Sequence, residues 1–129
     1  MEVLVNRITQ ATGLDAAVVE KALGLILAFL VKEGPQEEVG KLLDTMPGAQ
    51  QAVASAGDGG PGAAGGGLMG MLGGGGGVMA LGQKLVSAGV PMNQMQPLAR
   101  ELFAHGRETV GEDTMGTIAG SIPGLGQFI

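Results

Sequence analysis

Half of the chain's 26 glycines lie between Gly57 and Gly77. Glycine loses more backbone freedom on folding than any other residue, and costs about 1 kcal/mol relative to alanine inside a helix. A run this dense divides the 129-residue chain and leaves the regular structure to the parts on either side. The expected organisation is an N-terminal helical unit over 1–55, a glycine-rich segment over 56–77 and a C-terminal helical unit over 78–129. Each unit alone is near the lower limit of what buries enough surface to fold. The two are therefore expected to share one core.

That core must be aliphatic. Apolar residues make up 45% of the chain, yet its aromatics are only Phe29, Phe103 and Phe128. Leu4, Val5 and Ile8 fall at helical spacing and predict a helix from Glu2 to about Ala11, stopped by Thr12-Gly13. Asp15 stands where an N-cap is wanted for a second helix reaching about Lys32. Val18, Val19, Ala22, Leu23, Ile26, Leu27 and Leu30 cover most of that helix's circumference, which suits the middle of a bundle. Its apolar run from Ala22 to Val31 is well short of the about 20 residues a membrane span needs.

Gly34-Pro35 ends the second helix and opens a third, with Pro35 at its first position. Glu37 and Glu38 then lie in the first turn, at the positive end of the helix dipole. Val39, Leu42 and Leu43 share a face, and Pro47-Gly48 opens a short fourth helix through Val53. In the second half a helix is predicted from about Val78 to Ser87. Asn93 with Gln96, and Thr109 with Glu112, have the spacing of capping boxes. Proline is comfortable only in a first turn, so the regular helix near Pro97 is expected to start there and run to about Arg107. Met115, Ile118 and Ala119 mark a further helix, and Pro123-Gly124 a last turn.

A shift of 76 residues superposes the two halves. Gly13 meets Gly89, Ala28 meets Ala104, Gly40 meets Gly116, and Pro47-Gly48 meets Pro123-Gly124. Ile26-Leu27 meets Leu102-Phe103 and Leu42 meets Ile118. The expected fold class is thus all-α: two pseudo-repeated three- to four-helix units packed into one bundle and joined by the glycine-rich segment.

Within that segment no charge occurs from Gly59 to Gln83. Gly62, Gly66, Gly70 and Gly74 recur every four residues, and on a helix would make one smooth face for a close partner. Two readings stand: a flexible tether, or a glycine-faced contact helix whose surface includes Gly66, Leu68, Met69, Gly70, Met71 and Leu72. Glycine dilutes the hydrophobicity too far for a membrane span. Gly60 to Gly65 matches GxGxxG, but no strand precedes it and no acidic residue follows at the spacing a dinucleotide site uses.

The net charge of −5 with few, scattered basic residues argues against nucleic acid, whose phosphates need a clustered positive surface, so none is expected as a partner. Without cysteine there are no disulfides, thiolate metal sites or thiol nucleophiles. The first residues lack the pattern of a secretion signal, and a cytoplasmic location is expected. His105 is the single histidine, and no serine stands in a nucleophile-like context. Glu101 and His105 are four apart with Glu108 nearby, but the other half has Leu25 and Phe29 at the matching places, so no facing pair completes a metal site. No catalytic residue and no cofactor is expected. Arg100, His105 and Arg107 form the one local basic cluster and are candidates for contact with an anion or acidic partner. Met92 and Met95 lie near a loop and join the candidate contact surface, because thioethers make adaptable interfaces.

The helix over Val78–Gly89, the block from Gly116 to Ile122-Pro123-Gly124-Leu125 and the glycine-rich apolar segment resemble bacterial families known only as domains of unknown function, the VcgC/VcgE-like family being the nearest. The resemblance implies a small bacterial helical protein and carries over no active-site residues. The function expected is a non-catalytic helical interaction or scaffold module that self-associates or binds a protein partner. The alternative is a carrier holding a small apolar or lipid-like molecule in a cleft between the halves.

Overall fold

Ala22 to Val31, the most apolar stretch, becomes the inner part of a long helix that touches most of the others. The computed structural model describes residues 2–53, 77–122 and 124–125, and every regular element among them is an α-helix. In chain order these are α1 (Glu2–Thr12), α2 (Ala16–Glu33), α3 (Gln36–Asp44), α4 (Ala49–Val53), α5 (Gly77–Ala88), α6 (Met92–Thr109) and α7 (Glu112–Ser121). No helix among the described residues is long and apolar enough to cross a membrane. The glycine-rich segment up to residue 76, with its two readings, lies outside the described residues.

The helix ends follow local chemistry, with several departures from expectation. Gly13 closes α1 at φ +78°, its N–H donating to the Thr9 carbonyl at 2.7 Å. Asp15 does occupy the N-cap of α2, but its side chain makes no capping bond; its carbonyl accepts from Val19 N–H instead. Pro35 is the residue before α3 rather than its first, with Glu37 and Glu38 in the first turn as the dipole favours.

The largest departure is in α6. The Asn93–Gln96 capping box does not form: Pro91 is the N-cap, the helix starts at Met92, and Pro97 sits inside it. A proline there removes the helical bond to the Asn93 carbonyl and typically costs about 3 kcal/mol. The helix continues because Met95, Leu98, Ala99, Leu102, Phe103 and Gly106 are all buried along one face. Each such large side chain contributes roughly 1.5–3 kcal/mol, which outweighs one lost bond.

The Thr109–Glu112 box is absent as well. Thr109 is the last residue of α6, and its hydroxyl lies 3.1 Å and 3.2 Å from the His105 and Gly106 carbonyls. Gly111 caps α7 instead, at φ +101° and ψ +157°.

One apolar cluster joins both sides of the glycine-rich segment. Leu4, Ile8, Leu23, Leu27, Leu30, Leu42, Met46, Leu98, Leu102, Phe103, Met115 and Ile118 are its largest fully buried side chains. Phe103 is its only fully buried aromatic among the described residues, so the interior is aliphatic in character. Among the described residues Thr12 is the one buried polar side chain, and its hydroxyl donates to the Ile8 carbonyl at 2.7 Å.

The packing order crosses the chain. α1 lies chiefly against α6, α5 against α2, and α3 meets α7. α4 also packs on α2. Where α6 meets α7, Gly106 makes room for the Met115 side chain: a Cβ on Gly106 would stand 2.5 Å from Met115 Sδ.

Candidate functional site

The two ion pairs found among the described residues both lie where α1 crosses α6. Glu101, His105 and Glu108 are spaced by four and three residues, so they fall on one stripe of α6. Arg7 of α1 lies across that stripe. Its Nε donates to Glu101 Oε2 and its Nη1 to Glu108 Oε2, each at 2.8 Å. One guanidinium thus spans two carboxylates two helical turns apart, which suits its rigid fork of donors. The Arg7 hydrogen bond holds the Glu108 carboxyl below the usual carboxylate range. His105, half-buried in the same stripe, is pushed below the ordinary imidazole value, first by burial and then by the Arg7 charge. Burial and the Arg7 charge thus both favour the neutral form of the His105 imidazole.

The basic cluster expected from the sequence is separated by the helix. Arg100 and Arg107 are seven residues apart and exposed, on a common stripe. His105 is turned about 140° from Arg100 at 100° per residue, onto the α1-facing stripe. Arg107 does border an open depression of about 300 Å³ with Phe103, Glu112, Met115, Gly116 and Ala119. There Glu112 offers an anion a competing carboxylate. A second open depression of about 360 Å³ is lined by Leu43, Asp44, Met46, Pro47, Gly48, Gln50 and Gln51. Each lies within one half of the chain, not between the halves.

Of the candidate contact residues, Gly66, Leu68, Met69, Gly70, Met71 and Leu72 lie outside the described residues. Met92 is 79% exposed at the start of α6. Met95 is not a surface residue: it is buried in the core, one turn further on, facing inward with Leu98 and Leu102. Three residues along a helix turn a side chain by about 300°, which is enough to separate surface from core.

Two features escaped sequence reasoning. One is Arg7, whose role needs α1 and α6 to be neighbours. The other is an uncharged surface around the α5–α6 turn. From Leu85 to Ala99 the sequence carries no charge. In that stretch Val86, Ser87, Gly89, Pro91, Met92, Asn93 and Gln96 are all exposed. Val86 and Met92 flank the turn and are two of the three large apolar side chains exposed among the described residues, the third being Val3. The charge gap was readable; which of its residues face outward was not.

No family model, curated protein or solved structure matches this chain.

Proposed function

We propose that this protein is a non-catalytic helical interaction module that self-associates through the uncharged surface at the α5–α6 turn. The observation that carries the reading is the exposure of Val86 and Met92 amid residues none of which is charged. The centres of protein interfaces are depleted of charge and enriched in Met and aromatic residues. A chain of net charge −5 repels its own copies, and an uncharged patch is where two copies approach at least cost. The shifts of Arg7 and Glu108 come from the bridge between them, and that of His105 first from burial and then from the Arg7 charge.

The same proposal includes a tandem repeat. α2 begins at Ala16 and α6 at Met92, and they end at Glu33 and Thr109, 76 residues apart in both cases. α3 and α7 begin at Gln36 and Glu112, again 76 apart. At that offset the buried residues correspond: Val19 with Met95, Ala22 with Leu98, Ile26 with Leu102, Leu27 with Phe103, Val39 with Met115, and Leu42 with Ile118. Gly13 and Gly89, and Gly48 and Gly124, all have positive φ. Carriage of an apolar ligand remains the second reading, but both depressions described above are open and neither lies between the halves.

Sedimentation velocity across the micromolar range tests the first reading. The wild type is expected to form a dimer or larger assembly, and Val86→Glu with Met92→Glu to give a folded monomer. A wild type that stays monomeric throughout refutes it. Native mass spectrometry that finds a co-purified apolar molecule would favour the carrier instead.

A further inference from the structure

The first helix of each half belongs, by packing, to the other half. α1 is tied to α2 by the short turn Gly13 to Asp15, yet it packs more extensively against α6. α5 is tied to α6 by Gly89 to Pro91, yet it packs more extensively against α2. At the α5–α6 turn, Gly89 approaches Val18 of α2, where an added Cβ would stand 3.4 Å from Val18 Cγ2.

We propose that the face of α2 under α5 and the face of α6 under α1 are two equivalent helix-receiving sites, so that the halves of this chain are each other's specific binding partners. The inference rests on the tandem-repeat reading and adds to it an exchange of first helices. Such an arrangement is the fused counterpart of a dimer whose subunits trade an element.

Both sites bury apolar side chains, but among the described residues only the α6 site shows a polar latch. Arg7 on α1 reaches Glu101 and Glu108 on α6. At the offset of 76 residues Arg7 becomes Gln83, while Glu101 and Glu108 become Leu25 and Lys32. An α5 seated in the α1 position would leave both glutamates without their arginine. The latch thus distinguishes the correct pairing, first half with second half, from a half paired with its own copy. Within each half the core is compensated: Leu30 corresponds to Gly106, and Val39 to the bulkier Met115 that fills the space Gly106 leaves.

A recognition sequence for a site-specific protease, inserted between Asp58 and Gly59 of the full chain, allows the folded protein to be cut once. The cut halves are expected to remain together as a one-to-one complex on gel filtration and to separate only in denaturant. Leu4→Ala should weaken their association by about thirtyfold or more, because a fully buried leucine is lost from α1, the helix that packs chiefly on the other half. Arg7→Glu should weaken it severalfold, less so in high salt. If the cut halves part at micromolar concentration, or Leu4→Ala leaves their affinity unchanged, the exchange is overturned. The repeat reading fails by a different measurement: an experimental structure in which the backbones of the two halves do not superpose.

Discussion

The N-cap of α7 offers a substitution whose sign is set by backbone geometry alone. Gly111 has φ +101° and ψ +157°, a region that is essentially restricted to glycine. A Cβ added there would meet nothing within 4 Å, so neither a clash nor a new contact enters the balance. Forcing alanine into such a conformation costs about 1–3 kcal/mol, and stiffening the unfolded chain returns about 0.4–1 kcal/mol. Gly111→Ala should therefore destabilise by about 1–2 kcal/mol. Gly116 is the control, five residues further along the sequence and inside α7, where a Cβ also meets nothing within 4 Å. Without a strained φ, Gly116→Ala should stabilise by about 1 kcal/mol through helix propensity. Urea unfolding followed by far-ultraviolet circular dichroism separates the two. Gly111→Ala is expected to lower the midpoint by about 1 M and Gly116→Ala to raise it by somewhat less, both at unchanged slope. Shifts of the same sign in the two variants would refute the reasoning.

Two further predictions concern α6. Pro97→Ala restores the helical bond to the Asn93 carbonyl and removes the ring's clash, so the melting temperature should rise, with a gain of about 1–3 kcal/mol; a loss would mean that the ring's own packing dominates. Acid should weaken the fold in two stages. His105 titrates below its ordinary 6.5 in the folded protein, so the unfolded chain binds the extra proton first; its contribution is complete above about pH 6.5 and fades as the pH falls below that value. Glu108 titrates below its ordinary 4.5, so its contribution is complete above about pH 4.5 and fades below it. His105→Gln should flatten the upper stage and leave the lower one, as read from urea midpoints against pH. An unchanged upper stage in that variant would remove His105 as its cause.

Much of the helical punctuation was legible because it depends on neighbours in sequence. Thr12-Gly13 and Gly34-Pro35 ended helices where expected, and Glu37-Glu38 fell in a first turn. The apolar spacing of Val19, Ala22, Leu23, Ile26, Leu27 and Leu30 identified a buried helix, since burial repeats with the helical period. Pro35 precedes α3 instead of opening it, and the other misjudged positions lie at the ends or early turns of α6 and α7. Asn93, Gln96, Thr109 and Glu112 have capping chemistry, yet the caps are Pro91 and Gly111. Local signals there were outweighed by a buried face running past Pro97 on both sides.

The candidate site was legible only as composition. Met92 and Met95 look alike in sequence, yet one is exposed and the other buried, because three residues of helix turn them apart. Arg7 is 94 residues from Glu101, and no local rule connects them. What the sequence determined alone is the part of the physics that acts over a few residues: helix periods, most of their stops and an aliphatic interior. What the tertiary structure decided is which helix lies beside which. α1 chose α6 and α5 chose α2, because apolar faces are non-directional and only their simultaneous packing into one cluster selects the partner.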